Sequence, residues 1–382
     1  MRVDRAASTV QFQTPQLPPA DAIERYFRLS RDAGWFSNDG PCARLLSDRL
    51  TARLGNGLQC IPVANGTLAL MVALRALTEH ARPAAREVAV PSFTYVATVS
   101  AILWAGMEPV FVDVDAESWH AEPASLERAV EERGDSLACL LPCSTFGTAP
   151  ALETRRAWED LARQAALPLL VDSAAGLGTT DKAGTPLGGQ GDAETFSMHA
   201  TKPFAVGEGG LVVTRSADLA HRARQIIRFG LDAAGVLQGS IGVNAKMSEV
   251  HAATGLAVLE RFDDWIARRR ASAARMIDVL SPRGFRFQRD AGDSSWQFVP
   301  TLAPDASTRR RILAKGEAAG VELRTYHQPL HAMAALRRHE AVGSLEVTCE
   351  LGARILSLPM SNDLDEASLG RVCSSVLGAI GQ

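Results

Sequence analysis

The 382-residue sequence predicts an α/β fold: a large domain with a mostly parallel central sheet flanked by helices, and a smaller C-terminal α/β domain. Three observations support this prediction. Strand-like and helix-like segments alternate between residues 58 and 172, as in parallel sheets. Hydrophobic residues make up 46% of the chain and charged residues 22%, a balance that supports a sizeable core. The chain is also longer than one average domain.

The domain boundaries follow from the same pattern. Residues 1–20 read as an extended N-terminal arm that ends near Pro18-Pro19, because proline does not continue a regular element. We interpret residues 21–265 as the large domain, since the strand and helix alternation lies within them. Residues 266–382 are interpreted as the small C-terminal domain.

The elements of the first half are predicted in order. Helices at residues 21–33 and 43–54 flank a turn that carries Trp35 and Phe36. Strands are predicted at residues 58–64, 87–90, 109–114, 137–142 and 167–172. Helices alternate with them, from the Asn65-Gly66-Thr67 turn to about residue 77 and at residues 95–104, 123–132 and 151–166. We expect right-handed crossovers between these parallel strands.

The second half starts with two apolar segments, which end at Ser197 and cover residues 211–213. Residues 217–229 are predicted to be a helix, and a single long helix is predicted from Ser248 to about residue 280. Within it, Arg268-Arg269-Arg270 reads as a solvated face. In the small domain, strands are predicted near residues 284–287, 295–301 and 321–325, and helices at 307–319 and 365–380.

Charge and composition exclude several classes of partner. The net charge is −3, so no nucleic-acid or membrane-surface partner is expected. No run of 18 apolar residues occurs, and the first 20 residues lack the apolar core of a secretory signal. The six cysteines include only one close pair, Cys139 and Cys143, and no histidine pair completes a metal set. We therefore predict buried free thiols, no metal and a cytoplasmic location.

Lys202 is the first candidate for chemistry. It lies in a polar loop between two strand-like segments and is followed by Gly207-Glu208-Gly209-Gly210. A lysine amine becomes a nucleophile for carbonyl carbons when it is desolvated. One interpretation is therefore a Schiff-base lysine at the floor of a site. The other is an ordinary solvated loop lysine.

Three further candidates lie at predicted strand ends, where parallel sheets bind ligands. Gly66 and Thr67 begin a helix and would cradle a phosphate, or else form an ordinary helix start. Asp172 ends a buried strand and would pair with a pyridinium nitrogen, as in pyridoxal phosphate (PLP) enzymes, or else cap a helix. Tyr95 would stack on a flat cofactor, or else belong to the core.

Competing motifs are missing from the sequence. No GxxxxGK[ST] segment is present, and the glycines at 207–210 lack the strand-then-helix setting of a dinucleotide fingerprint. Ser144 and Cys143 lack the GxSxG context of a nucleophile elbow.

Taken in order, these segments resemble the fold-type-I PLP aminotransferases of the DegT/DnrJ/EryC1/StrS family, which aminate nucleotide-linked keto-sugars. The resemblance extends from about residue 20 over nearly the whole chain. The matching segments are residues 64–70 (ANGTLAL), 91–98 (PSFTYVAT), 109–115 (PVFVDVD), 171–174 (VDSA), 196–202 (FSMHATK), 207–210 (GEGG), 242–249 (GVNAKMSE) and 326–331 (YHQPLH).

The resemblance implies a role for each matching residue. Lys202 would be the catalytic lysine that bonds to PLP, and residues 21–265 would be the PLP-binding domain. Cofactor contacts would come from Asp172 at the ring nitrogen, Tyr95 on the ring, and Gly66, Thr67 and Ser197 at the phosphate. Asn244 would reach the phosphate of the neighbouring subunit, so a homodimer with shared active sites is expected. His327 and His331 would lie near the sugar.

The sequence departs from the family pattern in three places. Ala175 stands where the family has Gln or His three residues after the ring-binding Asp, so one cofactor contact is missing or is supplied elsewhere. The usual Asn-Tyr-Arg-Met reads Asn244-Ala-Lys-Met247. The usual Tyr-Gly reads Phe146-Gly147, which removes a hydroxyl from the expected substrate side.

The leading hypothesis is amination of a nucleotide-diphosphate keto-sugar, with glutamate as the amino donor. One alternative is a PLP enzyme of the same fold that acts on a non-sugar ketone such as a cyclitol. A sugar dehydratase is another, although that branch resembles proteins with His in place of the lysine, and Lys202 argues against it. A non-catalytic regulator is a further alternative.

Overall fold

The structure is a computed structural model that describes residues 9–55, 57–79, 85–232, 234–237 and 241–380. Residues 1–8 of the expected N-terminal arm lie outside the described residues. Residues 9–19 contain no helix or strand, but Val10 and Gln13 form bridges with Val321 and Met360 of the C-terminal part. The described part of the arm is therefore fastened to the smaller unit.

The helices and strands follow the predicted order. The helices are α1 (Ala20–Ala33), α2 (Pro41–Leu54), α3 (Gly66–Thr78), α4 (Val96–Trp104), α5 (Pro123–Arg133), α6 (Leu152–Gln164), α7 (Ala217–Ile226), α8 (Glu249–Leu259), α9 (Phe262–Leu280), α10 (Ala306–Ala318), α11 (Glu346–Arg354) and α12 (Glu366–Leu377). The strands are β1 (Gln59–Val63), β2 (Glu87–Pro91), β3 (Glu108–Val112), β4 (Leu137–Leu140), β5 (Leu170–Asp172), β6 (Ala193–Ser197), β7 (Gly210–Thr214), β8 (Val299–Leu302) and β9 (Ile355–Leu358).

The strands β1 to β7 form one sheet. It consists of two hydrogen-bonded sections, one with the strand order β3-β2-β4 and one with the order β5-β6-β7-β1. Parallel bridges from Leu140 to Leu169 and from Cys143 to Asp172 join the two sections. Pairs β2/β3, β2/β4 and β5/β6 are parallel, while β7 is antiparallel to β1 and β6. The predicted mostly parallel sheet is therefore confirmed, with β7 as its reversed strand.

The buried apolar side chains of the described residues form four packed clusters, of which two belong to the sheet and to the small unit. Helix α3 and strands β2 and β3 contribute Leu74, Val90 and Phe111 to the core of the sheet. A second core, which includes Val299 and Leu356, forms around β8, β9 and the C-terminal helices. The boundary expected at residues 265/266 falls near the start of α9, and the domain division stays a prediction.

The predicted single helix from Ser248 to residue 280 is wrong. The chain forms α8 and α9, separated at Glu260 and Arg261, and Arg261 leaves the helical region with φ −120° and ψ −1°. Asp263 and Asp264 then stand in the first turn of α9, where acidic side chains stabilise a new helix N-terminus.

The small unit also differs from its predicted strands. Residues 284–287 and 321–325 contribute only isolated bridges, which join Arg286 to Leu302, Val321 to Val10 and Arg324 to Ser357. Strand β9, which pairs with β8, was not predicted, and neither was α11. The segment from Leu351 to Leu358 is apolar except at Arg354 and Ser357. In so short an apolar run, periodicity does not distinguish the end of a helix from a buried strand.

Two surface predictions are also corrected. Arg269 is buried on the face of α9 that carries Trp265, Ala273 and Met276, and only Arg268 of the arginine run fits the expected solvated face. Five of the six free thiols are buried as predicted, but Cys349 is exposed. Among the described residues, no helix is long and apolar enough to span a membrane.

Helix α2 begins without a cap from its own sequence. Gly40 precedes it and Pro41 stands in its first turn. The buried carboxylate of Glu249 fills this place, because its oxygens accept bonds from the backbone N–H groups of Cys42 (2.7 Å) and Ala43 (3.2 Å) and from the Ser30 hydroxyl (2.7 Å). A single side chain of α8 thus links this helix to both α1 and α2.

We predict that Glu249→Gln lowers the free energy of unfolding by roughly 1–3 kcal/mol, because an amide nitrogen would face backbone N–H donors. The measurement is urea unfolding followed by circular dichroism. Glu260→Gln is the matched control, since Glu260 is exposed and pairs with Arg25 at the surface. In this control variant, the free energy of unfolding should fall by less than about 1 kcal/mol. Equal losses in the two variants would contradict this role of Glu249.

Candidate active site

A cavity of about 660 Å³ lies at the carboxyl edge of the large sheet. Its lining comes from the segments that follow strands β1, β2, β4, β5 and β6. Further lining residues come from the small unit, just before β8 (Gln297 and Phe298) and between β8 and β9 (Tyr326 and His327). The sequence-predicted residues in the lining are Gly66, Thr67, Tyr95, Asp172, Ser197, Lys202 and His327. Since the carboxyl ends of parallel strands meet at one edge, residues far apart in sequence converge here.

Lys202 lies in the loop after β6, and its side chain faces the cavity. Its Nζ donates a hydrogen bond to Gln297 Oε1 at 2.9 Å. Burial lowers the pKa of Lys202 to about 8, while the nearby Asp172 acts in the opposite direction. A substantial fraction of the amine is thus unprotonated at mildly alkaline pH, which is the form that attacks carbonyl carbons.

Asp172 ends β5 and is 7% exposed. Its Oδ2 accepts a bond from Thr98 Oγ1 at 2.7 Å, and its Oδ1 accepts one from the backbone N–H of Ala174 at 3.0 Å. Burial raises the pKa of Asp172, while these two bonds and Lys202 work against that increase. Both direct partners are neutral, so the carboxylate is suited to a cationic N–H group placed in the cavity.

The N-terminus of α3 points its backbone at the same cavity. The Asn65 side chain accepts a bond from the Leu68 N–H at 2.9 Å, so the helix-start interpretation holds for Asn65. In the described chain the N–H groups of Gly66 and Thr67 have no acceptor. A Cβ on Gly66 would stand 2.7 Å from Ser197 Cβ, so only glycine allows this approach. The two N–H groups and the Ser197 hydroxyl form a cradle for an anion.

Aromatic rings form another wall of the cavity. Tyr95 precedes α4 and is 55% exposed, so it does not belong to the core. The His327 ring stacks on Phe146 with 4.6 Å between centroids and 5° between planes. Burial, with Lys202 as a second cause, lowers the pKa of His327 to about 3, so this histidine is neutral.

Two of the predicted site residues lie outside the cavity lining. Asn244 is exposed, and its Oδ1 accepts a bond from Lys246 Nζ at 2.5 Å. His331 is also not in the lining, and its Nδ1 forms a hydrogen bond with Ser92 Oγ at 2.7 Å. The chain by itself therefore brings neither residue to Lys202.

Several lining residues were missed by the sequence reasoning. Thr98 was detectable in the sequence, because it follows Thr94 by four residues, the spacing of neighbours on a helix surface. In the structure the two hydroxyls are 3.1 Å apart. Gln297 and Gln13 come from irregular segments, and no spacing in the sequence connects them with Lys202. The Ala175 side chain offers no polar group, but Ser144 Oγ lies in the same lining and is bonded to Ser173 Oγ at 2.8 Å.

Comparison with known proteins gives a consistent result. The profile described as the DegT/DnrJ/EryC1/StrS aminotransferase family matches residues 20–377. Protein Rv3402c of Mycobacterium tuberculosis is 35% identical, with 98% of this chain and 92% of the relative covered. GDP-perosamine synthase of Caulobacter vibrioides is 30% identical, over 94% of this chain and 96% of the relative.

A further relative matches over a shorter region. L-glutamine:scyllo-inosose aminotransferase of Streptomyces griseus is 36% identical, over 61% of this chain and 55% of the relative. Among solved structures, DesI in the presence of its TDP-sugar product is 31% identical, with a TM-score of 0.87 over 98% of this chain and 94% of that chain. The resemblance inferred from the sequence is confirmed, and so is the PLP fold.

The residues around the cavity fit a PLP molecule. The cradle at Gly66 and Thr67 has free N–H donors for a phosphate. A buried acid without a cationic partner faces the same space as a lysine of lowered pKa. An anion site, an acid and an amine in one cavity match the phosphate, ring nitrogen and aldehyde of the cofactor.

Proposed function

Since the chain belongs to the DegT/DnrJ/EryC1/StrS aminotransferase family and is a PLP-dependent aminotransferase, we propose that it converts a nucleotide-diphosphate keto-sugar to an amino-sugar with glutamate as amino donor. One observation carries the proposal: Lys202, with a pKa lowered to about 8, shares one cavity with the buried Asp172 and the free N–H groups of α3. A solvated loop lysine would have none of these neighbours.

The proposed cofactor contacts follow from the geometry. The N–H groups of Gly66 and Thr67, together with the Ser197 hydroxyl, would hold the phosphate. Tyr95 provides an exposed ring for stacking. Asp172, oriented by Thr98 and the Ala174 N–H, would accept a bond from the protonated ring nitrogen. When bound, PLP supplies an electron sink for the carbanion at the amine-bearing carbon.

Lys202 is the proposed catalytic base and acid. With a pKa lowered to about 8, its amine would move a proton from the donor's amine-bearing carbon to the aldehyde carbon of the cofactor, and in the second half-reaction from that carbon to the acceptor. The neutral His327 and the ring of Phe146 leave the wall near the amine uncharged, so they do not compete for this proton. His327 is proposed to face the sugar, and His331, which is bonded to Ser92, to lie near it.

Two comparisons support a nucleotide sugar as the acceptor. The names of GDP-perosamine synthase and of DesI with a TDP-sugar product both refer to nucleotide sugars. The cavity has room for more than the cofactor, and Trp104 and Tyr326 stand at its wall as flat apolar surfaces. Phe146 lacks the hydroxyl of the usual tyrosine, so recognition of the sugar falls to other groups.

A cyclitol ketone is the second candidate substrate, and one observation favours it. The relative from Streptomyces griseus is named for scyllo-inosose and for glutamine as donor. The dehydratase alternative is weaker because Lys202 is present in the cavity. We also propose a cytoplasmic location, which suits free thiols such as Cys139 and Cys143.

A homodimer with shared sites is also part of the proposal. Asn244 lies outside its own cavity, on a segment with the exposed apolar side chains of Phe229, Leu237 and Ile241. An exposed apolar patch of this kind marks a contact surface. With a second copy packed against it, Asn244 would donate a charge-assisted bond to the partner's phosphate, worth about 1.5–3 kcal/mol.

We predict that the purified enzyme with PLP and glutamate forms an amino-sugar nucleotide from one of a panel of GDP- and TDP-linked keto-sugars. The product is identified by mass spectrometry and NMR, with scyllo-inosose as the cyclitol arm. Lys202→Ala should reduce turnover by about a thousandfold or more.

Lys182→Ala is the matched control, because Lys182 is exposed and pairs with Asp290 at the surface. It should retain wild-type turnover. Near-wild-type turnover by Lys202→Ala would show that the lysine assignment is wrong. Turnover of scyllo-inosose without any nucleotide sugar would establish the second candidate instead.

The shared site predicts complementation between two inactive variants, Lys202→Ala and Asn244→Asp, in which the new carboxylate repels phosphate. A mixed dimer would hold one site with both lesions and one intact site. Co-refolded at equal amounts, the variants should recover about a quarter of wild-type activity, since half of the dimers are mixed. If Asn244 acted within its own subunit, every site would carry one lesion, and verified mixed dimers would stay inactive.

A further inference from the structure

A directed series of hydrogen bonds leads away from the Lys202 amine. It runs through Gln297 and Thr201 to His199, and all of these residues line the cavity. We infer that Gln297 is the positioning residue of the Lys202 amine, and that Thr201 and His199 fix the orientation of its side-chain amide. This inference rests on the proposed role of Lys202.

The first link determines one end of the amide. Lys202 Nζ is 2.9 Å from Gln297 Oε1. A lysine ammonium carries only donors, so it must meet the oxygen of the amide and not its nitrogen. The Gln297 nitrogen is therefore turned away from the lysine, toward Thr201 Oγ1 at 3.3 Å.

The far end imposes the same orientation independently. The Thr201 backbone N–H donates to His199 Nδ1 at 3.2 Å, so this nitrogen is an acceptor and the ring proton is on Nε2, which lies 3.6 Å from Glu208 Oε1. Thr201 Oγ1 is 2.9 Å from the same Nδ1, and its hydroxyl hydrogen therefore points to His199. The hydroxyl oxygen then accepts from Gln297, which leaves the Gln297 oxygen for the lysine.

The backbone that carries Gln297 is also anchored. The buried Arg269 of α9 donates to the carbonyl of Trp296 at 2.7 Å and lies 3.5 Å from the carbonyl of Gln297. Its guanidinium has a further bond to Asn362 Oδ1 at 2.6 Å. This arrangement gives a function to an arginine that the sequence pattern placed on a solvated face. With its backbone and its amide both fixed, Gln297 presents its oxygen at one place.

The consequence concerns the state in which Lys202 is not bonded to the cofactor. Asp172 accepts bonds from Thr98 and the Ala174 N–H, and no ion pair joins it to Lys202 among the described residues. The charged or titratable groups that face the amine are Asp172 and His327. The Gln297 oxygen therefore gives the released amine a defined position between the two half-reactions, ready for proton transfer.

Competitive acetylation tests this inference in full-length protein freed of PLP. Acetic anhydride labels the unprotonated amine of Lys202, and peptide mass spectrometry measures the label between pH 6 and pH 11. In wild-type protein, labelling of Lys202 should be half-maximal near pH 8. Gln297→Leu removes the oxygen that accepts a bond from the charged amine and puts an apolar side chain of similar size in its place. Labelling at pH 7 should then rise about three- to tenfold.

Thr201→Val is the decisive variant, because the Thr201 side chain has no contact with the lysine nitrogen. It should increase labelling in the same direction by a smaller factor, and Thr201→Ser should restore the wild-type value. The double variant should label no faster than Gln297→Leu, since both changes break one series of bonds. Gln164→Leu, at an exposed helix end, is the matched control and should leave labelling unchanged.

Unchanged labelling in Gln297→Leu, or additive effects of the two changes, would overturn the inference. If Gln297→Leu does not fold, Gln297→Asn draws the oxygen back by one methylene and should raise labelling in the same way. The experiment needs neither substrate nor cofactor. Near-wild-type turnover by Lys202→Ala would therefore refute the catalytic role of Lys202 alone, whereas unchanged labelling would refute the positioning role of Gln297 alone.

Discussion

The buried carboxylate of Asp172 is the constraint on which the site depends. Its position at the end of β5 removes it from water, and an uncompensated charge there would be costly. Thr98 and the Ala174 N–H offset part of that cost, and Lys202 lies close enough to affect its pKa. Both partners in direct contact are neutral. In our proposal, the remaining negative charge would pair with the cationic ring nitrogen of PLP.

The sheet explains why the remaining groups gather around that carboxylate. Strands β1, β2, β4, β5 and β6 end at one edge, so the helix N-terminus at Gly66, the ring of Tyr95 and the loop of Lys202 face one cavity. The reversed strand β7 brings Gly210 against the backbone of Asn65, where a Cβ would stand 2.4 Å from a carbonyl oxygen. The glycines after Lys202 thus shape the anion cradle, which we propose binds the phosphate, as well as the loop.

Much of this arrangement was predictable from the sequence. Buried apolar runs and helix starts such as Asn65 predict β1 to β6 and α3, and the strand-end rule then places Gly66, Asp172 and Lys202 together. The contacts of Gln297, Gln13 and Arg269 were not predictable, because they join irregular segments to residues far away in sequence. Asn244 shows another limit, since its proposed role depends on a second copy of the chain.

Reduction of the PLP-loaded protein with sodium borohydride, followed by peptide mass spectrometry, tests most directly whether Lys202 is the residue that bonds to PLP. Borohydride makes a carbon–nitrogen double bond between a lysine and the cofactor permanent. The account predicts that the mass of the reduced cofactor is attached to the peptide that contains Lys202, in near-stoichiometric amount. Attachment to another lysine, or no attachment in protein that retains PLP, would contradict it.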